Sequence, residues 1–381
     1  MLYQFKTKPE DFLVQELLPQ RPSGKGDVFW VLFEKRNLTT MDVLDYLQRS
    51  LNLTRNDFGI AGLKDKIGIT QQRITIFQSK LNQSGGQTRF LSILGEKVKI
   101  LHTTRNETPL RIGGNAGNNF EIRLRSTQKA TDDKPNPEIK SFLEQNIAKI
   151  KSKGFPNCFG QQRFGKGFKN FREAREILCN GEAEKQSLGQ DPTFHLRFML
   201  QAYPSMYFNQ YALMRRKKGL HILQGDICVD KYYADGAKIV KETEGIPTGP
   251  MLGRDLMLPK PGTKARIRED ILIKEAGFDE KVAKKCQEYH LRGVRRPLRV
   301  YVPDLEYQRV KSETAQQKIK QEEKADLILK FSLPTGSYAT TLLAFILEGL
   351  DEKTIQENKL TIPRLKGETP PVGEDYLGSN G

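Results

Sequence analysis

The chain has 381 residues, of which 37% are hydrophobic and 28% are charged. These proportions are typical of a folded globular protein and exclude an intrinsically disordered one. At about 150 residues per domain, the length predicts two or three domains, or one large domain with an insertion.

The net charge is the strongest signal in the composition. Sixty-two Lys and Arg residues exceed 46 Asp and Glu residues, which gives a formal charge of +16. Such an excess attracts polyanions, most often nucleic acid; the alternative is a basic protein with no polyanionic partner. No apolar run reaches the ~20 residues that span a bilayer. The N-terminus also lacks a signal-peptide pattern, so we expect a cytoplasmic protein with no membrane contact.

Cysteine and histidine residues are few and scattered. No two of the four cysteines have the Cys-x-x-Cys spacing of a zinc knuckle, and the four histidines are equally dispersed. The sequence therefore predicts reduced thiols, no disulfide framework and no metal site.

The first 127 residues combine predicted strands with a helix. Short apolar runs rich in Val, Ile and Phe predict four strands, at 12–17, 27–34, 96–103 and 118–127. Between the second and the third, residues 37–53 predict an amphipathic helix that Thr39 or Thr40 caps. In the last strand Phe120 alternates with Glu121, which is typical of a half-buried strand with a charged outer face.

The composition changes near residue 155. The segment 154–168, GFPNCFGQQRFGKGF, is dense in Gly, Phe and basic residues, and helical patterns follow it. The charged segment 313–326 predicts a solvated loop or hairpin limb. Strand alternation returns after it, at 327–334. A buried helix is predicted next, with Ser337 as its cap. This order predicts an α+β core interrupted by an inserted domain.

The glycine-rich segment admits more than one interpretation. Residues 160–166 match the G-x-x-x-x-G-K pattern of a phosphate-binding loop, but Gly167 follows where that loop needs a Ser or Thr hydroxyl. We therefore expect no nucleotide cofactor. Phenylalanines alternate with basic residues in this segment, which suits RNA contact by stacking and charge. A core-facing aromatic stripe with a charged edge explains the pattern equally well.

Asp65 is the candidate catalytic residue of the first half. It lies between Lys64 and Lys66, at the end of the small, apolar stretch GIAGL. A solvated surface turn would explain this pattern. So would a nucleophile, because the two flanking cations would favour the ionised form of the carboxylate, which can attack an electrophilic carbon as in covalent glycosyl transfer.

Six segments in order resemble those of the TruD-type tRNA pseudouridine synthases. They are KTKPEDFLVQE, FGIAGLKDKIGITQQ, GNNF, GFPNCFGQQRFG, MYFNQ and LPTGSYATTLL. The resemblance implies an α+β fold, in which a pseudouridine synthase catalytic core with a mixed, largely antiparallel sheet and flanking helices receives an inserted α/β TRUD domain. The implied division is residues 1–154 and 304–366 for the core, 155–303 for the insertion and 367–381 for a loose tail.

The resemblance also implies a reaction. Uridine in tRNA, at position thirteen of the D-arm, would be converted to pseudouridine by breaking the N-glycosidic bond, rotating the base and rejoining it through carbon. No cofactor or metal is implied. Asp65 would attack the ribose C1′ or assist formation of a glycal intermediate, and the target base would leave the stack to reach it. We expect a monomer that binds tRNA.

Six further residues are assigned to the site by the same resemblance. Lys6 and Phe12 would line it, Asn118 would hold the aspartate loop by hydrogen bonding, and Phe120 would pack against the target base. Tyr338, where the family often has Phe, would complete the aromatic wall, and Arg163 would contact tRNA or form a hinge-region ion pair. The chain departs from many relatives at Ile67-Gly68, where they have His-Ala. A non-catalytic RNA-binding protein on the same scaffold is the alternative function.

Overall fold

The computed structural model describes residues 2–127, 137–180, 194–217, 219–230, 239–241, 245–311, 325–349 and 360. The strands are β1 (Tyr3–Phe5), β2 (Phe12–Leu17), β3 (Val28–Arg36), β4 (Phe58–Gly59), β5 (Ile69–Phe77), β6 (Lys99–Asn106), β7 (Gly117–Ser126), β8 (Phe155–Pro156), β9 (Cys228–Val229), β10 (Ile239–Val240), β11 (Ile246–Met251), β12 (Val294–Pro297), β13 (Arg299–Val300), β14 (Glu306–Lys311) and β15 (Ala325–Pro334). The helices are α1 (Thr40–Leu51), α2 (Gln78–Gln83), α3 (Gly86–Gly95), α4 (Pro137–Lys153), α5 (Lys169–Arg175), α6 (Phe194–Leu200), α7 (Ala202–Lys217), α8 (Lys264–Ala276), α9 (Glu280–Glu288) and α10 (Ala339–Leu347).

A nine-stranded sheet forms the centre of the fold. Its order is β14-β15-β7-β2-β5-β3-β6, with β1 added beside β7 and β4 beside β5. Strands β2 and β5 are parallel, and the other neighbours in this sheet are antiparallel. The predicted mixed, largely antiparallel sheet is therefore confirmed.

Helices cover one face of this sheet in two separate groups. Helices α4 and α10 pack with β7 and β15 in one buried apolar cluster, and α1 and α3 pack with β3 and β5 in another. Helix α1 begins where the sequence predicts, because the Thr39 hydroxyl accepts the Asp42 N–H at 2.9 Å and the Asp42 carboxylate accepts the Thr39 N–H at 2.7 Å. No helix within the described ranges is both long enough and apolar enough to cross a membrane.

The segment between β8 and β13 has its own core. Helices α5 to α9 bury apolar side chains against a second sheet of order β10-β9-β11-β12. Strands β8 and β13 pair directly, with Phe155 opposite Val300 and Pro156 opposite Arg299. The two ends of the segment therefore lie side by side, as the predicted insertion would require.

Some local predictions differ from the structure. The outer face of β7 is not simply solvated, since the Arg125 guanidinium is buried against Asp11 at 2.7 Å. The cap of α10 is also different, because Tyr338 occupies the N-cap position and the buried Ser337 hydroxyl has no hydrogen-bond partner among the described residues. Two predicted segments lie outside the described residues: the part of the charged segment 313–326 that ends at residue 324, and the tail 367–381.

Candidate active site

The two helical groups leave a polar strip between them on the covered face of the sheet. Strand register aligns Asn118, Glu16 and Gln72 in one row across β7, β2 and β5. A neighbouring row contains Thr70 and Lys35, and Glu16, Gln72, Thr70 and Lys35 are all buried. Buried polar side chains in a sheet centre need hydrogen-bond partners, and a row of them makes this strip a candidate site.

Asp65 lies in the loop between β4 and β5, beside this strip. Its side chain is 46% exposed, and Oδ2 accepts a hydrogen bond from Lys6 Nζ at 2.7 Å. The approach to the loop is buried at Ile60 and Ala61. The carboxylate is thus presented to solvent from an anchored loop, with a cation in direct contact.

Lys6 is held in place by its own surroundings. Its backbone is left-handed, with φ of 57°, an uncommon conformation for a residue other than glycine. The ammonium lies 3.9 Å from the centroid of the Phe12 ring and 5.3 Å from that of Phe5, so aromatic faces stabilise the cation. The side chain is only 11% exposed. Lys6 therefore contacts both Phe12 and Asp65.

The lysines that flank Asp65 do not contact its carboxylate. Lys64 turns inward, where Nζ lies 3.3 Å from Glu16 Oε1. Glu16 Oε2 also accepts the Arg73 N–H at 3.0 Å. Lys66 is exposed and makes no ion pair with any described residue. The expectation that both neighbours hold the charge is corrected, because the contacting cation is Lys6.

The backbone of the Asp65 loop is tied to the start of α1. The Lys64 N–H donates to the Thr40 hydroxyl oxygen at 2.9 Å, and that hydroxyl donates to Gln72 Oε1 at 2.9 Å. Lys35 Nζ donates to the Asp65 carbonyl at 2.7 Å and to the Leu38 carbonyl at 2.6 Å. Burial lowers the pKa of the Lys35 ammonium to about 8.

Asn118 and Phe120 lie on β7, on the same face of the sheet. The Phe120 ring stacks on Phe331 with centroids 5.3 Å apart, and is tilted against Phe12 at 6.0 Å. The structure therefore brings Lys6, Phe12 and Phe120 together. In the described part of the chain no hydrogen bond joins the Asn118 side chain to the Asp65 loop, and Asn118 Oδ1 is buried without a partner.

Arg163 and Tyr338 form a second group, at the junction with the inserted segment. The Arg163 guanidinium donates to the Tyr338 hydroxyl at 3.3 Å and lies between the rings of Phe159 and Phe198, at 5.0 and 4.8 Å from their centroids. Arg163 forms no ion pair with a described carboxylate. Within the described ranges, no hydrogen bond or ring contact joins Tyr338 to Asp65.

A cavity of about 510 Å³ opens elsewhere, along the centre of the sheet. Its lining includes Gln15, Asn119 and Glu121, whose side chains point to the opposite face of the strands, and it also includes Val14 and Phe120, which alternate with them. Neither Asp65 nor Lys6 lines it, and its carboxylates would repel a phosphate backbone. We therefore place the candidate site at the Asp65 loop. No group of three or more His, Cys, Asp or Glu side chains among the described residues is arranged to hold a metal ion.

A family model matches nearly the whole chain. It is the model for tRNA pseudouridine synthase D (TruD), and it covers residues 3–187 and 169–345 in two overlapping matches. The chain belongs to the TruD family.

Named relatives and a solved structure agree with this assignment. The tRNA pseudouridine synthase D of Wolinella succinogenes is 30% identical over 380 residues, covering 90% of this chain and 93% of the relative. The enzyme of the same name from Thermus thermophilus is 29% identical over 365 residues, covering 91% of this chain and 90% of the relative. A crystal structure from Methanosarcina mazei, assigned as TruD, superposes with a TM-score of 0.64 at 20% identity over 91% of this chain and 93% of that chain, which supports the fold.

Lys35 contacts the Asp65 loop in this TruD family member, although none of the six motifs contains it. It lies 30 residues before Asp65 in a strand whose first six residues are apolar, VFWVLFEKR. The one available signal was its position: Lys35 shares the strand face of Phe33 and Val31, both of which are buried. A lysine on the core side of a strand needs buried acceptors.

Proposed function

We propose that this chain isomerises a uridine at position thirteen of the tRNA D-arm, with Asp65 as the catalytic carboxylate. As a member of the TruD family the chain is a tRNA pseudouridine synthase, which is an isomerase. One observation supports the role of Asp65: its carboxylate is half exposed and paired with Lys6 at 2.7 Å, on a loop whose Asp65 carbonyl accepts a hydrogen bond from Lys35 at 2.7 Å.

The chemistry fits such a carboxylate. The bond between uracil N1 and ribose C1′ breaks, the base turns, a bond forms between C5 and C1′, and the proton of C5 is replaced by one on N1. Because reactant and product are isomers, the reaction consumes no oxidant and no co-substrate. Attack on C1′ and assistance to a glycal both need an ionised carboxylate that can reach the ribose. The carboxylate cannot reach the ribose C1′ of a uridine that is stacked inside an RNA helix, so the uridine must leave the stack.

The aromatic side chains beside Asp65 suit a flipped pyrimidine. Phe120 is half-buried and rests on Phe331 and Phe12. We propose that Phe120 packs against the target base, while Lys6 holds Asp65. Among the described residues, the side-chain hydrogen bonds to the loop backbone come from Lys35 and Thr40 and not from Asn118, so we propose that Lys35 and Thr40 hold the loop.

Mapping pseudouridine on unmodified tRNA transcripts tests the substrate. We expect one pseudouridine at position thirteen of the D-arm, formed without added metal or nucleotide. The matched control is the same transcript with cytidine at position thirteen, which we expect to stay unmodified while binding equally well. Tight binding with every uridine unchanged would favour the non-catalytic RNA-binding alternative, and modification at another position would contradict the assigned target.

The glycine-rich segment divides into core and surface residues. Phe159, Phe164 and Phe171 are at most 5% exposed and belong to the core of the inserted segment. Phe168 is 38% exposed and has a left-handed backbone, with φ of 64°. A non-glycine residue in this conformation is strained, and exposed lysines surround it at 166 and 169. We propose that this loop contacts tRNA through phosphate pairing and base stacking.

Replacing Phe168 with Ala tests that surface. Loss of one base–aromatic stack raises the Kd for tRNA by roughly fivefold or more. The salt dependence of binding stays unchanged, because no phosphate contact is removed. Filter binding at several salt concentrations measures both quantities. Phe77→Ala is the matched control, since Phe77 is 45% exposed on another part of the chain. Equal affinity of Phe168→Ala and the wild type would exclude the stack.

The division into core and insertion stays a proposal with structural support. The pairing of β8 with β13 brings the ends of segment 155–303 together, and helices α5 to α9 share a core of their own. The monomeric state and the cytoplasmic location stay predictions.

A further inference from the structure

Lys35 has an environment that stability alone does not explain. Its side chain is fully buried, at 0% exposure, and it forms no ion pair with any described carboxylate. Its ammonium donates to two backbone carbonyls, those of Leu38 and Asp65, at 2.6 and 2.7 Å. Burying a charge that has only neutral partners is costly. A cost of this kind at the edge of a reacting site points to a role in the reaction.

We propose that Lys35 is the positioning residue of the catalytic loop, and that its buried positive charge holds Asp65 in the orientation needed for attack. The inference rests on the proposed role of Asp65 and adds a residue and a pH limit to it. Lys35 does not touch the substrate, because it is fully buried. It acts through the Asp65 backbone.

The geometry makes Lys35 a clamp between two segments. One contact holds the turn that leads into α1, at Leu38, and the other holds the Asp65 peptide. The Asn37 N–H donates to the Gly68 carbonyl at 3.2 Å and closes the far end of the same loop. The Asp65 side chain is 46% exposed, so packing alone does not fix it. Its position depends on Lys6 at the carboxylate and on Lys35 at the backbone.

The charge of Lys35 is sensitive to pH. Burial lowers its pKa to about 8, the carboxylates of Asp65 and Asp42 oppose the shift, and the ammonium groups of Lys64 and Lys6 add to it. Above this pH the neutral amine keeps N–H donors but loses the charge that shortens and strengthens bonds to carbonyls. We therefore expect the rate of the chemical step to fall as the pH rises through about 8.

Single-turnover rates with the full-length enzyme in excess over tRNA transcript test the proposal. Lys35→Met lowers the rate by about tenfold to a hundredfold, which is typical of a misplaced reacting group. It leaves the Kd for tRNA within about twofold of the wild type, because the buried lysine contacts no phosphate. Lys99→Met is the matched control, since Lys99 is exposed on the adjacent strand β6, and it retains the wild-type rate.

One pH readout separates positioning from a purely structural role, and a second checks the lowered pKa itself. The wild-type rate falls above pH of about 8, whereas the low rate of Lys35→Met shows no such fall. The unfolding temperature gives the second readout. A lowered pKa means that the folded chain binds this proton less tightly than the unfolded chain, so Lys35 adds stability as the pH rises from about 8 towards 10.5. Over this pH interval, the unfolding temperature of the wild type should rise relative to that of Lys35→Met.

The outcomes distinguish this inference from the proposed function. Asp65→Asn is assayed in parallel: if it is inactive while Lys35→Met has the wild-type rate, the positioning role is wrong and the role of Asp65 stands. If Asp65→Asn is active, the proposed function itself fails. Should Lys35→Met not fold, Lys35→Gln and the wild-type pH profile decide. A wild-type rate that stays level to pH of about 9.5 overturns the role of the charge.

Discussion

Replacing Asp65 with Asn is expected to lower the single-turnover rate of pseudouridine formation by at least about a thousandfold. The amide has nearly the same shape as the carboxylate, but it carries no charge and is a far weaker nucleophile and base. It also loses the charge-assisted bond to Lys6, which measures 2.7 Å in the structure. The loop itself should stay in place, because Lys35 and Thr40 bind its backbone and not this side chain.

The measurement is the initial rate of pseudouridine formation under excess enzyme, together with the Kd for the same transcript. We expect the Kd of Asp65→Asn to remain within about threefold of the wild type, since removing an acid does not weaken phosphate contacts. Asp45→Asn supplies the same chemical change at an exposed position on α1 and should retain full activity. Joint loss of binding and activity in Asp65→Asn would assign Asp65 a structural role instead.

The second large effect concerns stability and is expected for Asp11→Ala. Asp11 and Arg125 form a buried ion pair, in which both carboxylate oxygens accept from the guanidinium at 2.7 to 2.9 Å. The Lys8 N–H also donates to Asp11 at 2.8 Å. Removing the acid takes from the buried guanidinium the carboxylate that it contacts, and breaking a buried ion pair lowers the free energy of unfolding by about 3–5 kcal/mol.

Denaturant unfolding of the wild type and of Asp11→Ala at neutral pH measures this difference in the free energy of unfolding. Glu10→Gln is the control, because Glu10 is the neighbouring acid and pairs with Arg36 at the surface; it should leave the unfolding midpoint unchanged. An equally small effect of Asp11→Ala would show that the pair is not coupled to folding. A large effect would show that Asp11, which lies in the same motif as Lys6, contributes to folding stability.

The sequence alone determined the fold class, the family and the candidate nucleophile of this protein. Strand alternation predicts β7 and β15, and the Thr39 cap with its apolar face predicts α1, because these signals depend on residues close together in the chain. The position of Asp65 follows from its motif. Local patterns of this kind can be recognised from the sequence alone.

Only the tertiary structure decided how the site is assembled. The cation that contacts Asp65 is Lys6, 59 residues away, and not its neighbours Lys64 and Lys66. The backbone clamp is Lys35, 30 residues away, and Phe168 is the exposed member of an aromatic series whose other residues are buried. These contacts and exposures depend on strand register and on which side chains the fold buries. Both are set by contacts between distant segments, so spacing along the chain does not determine them.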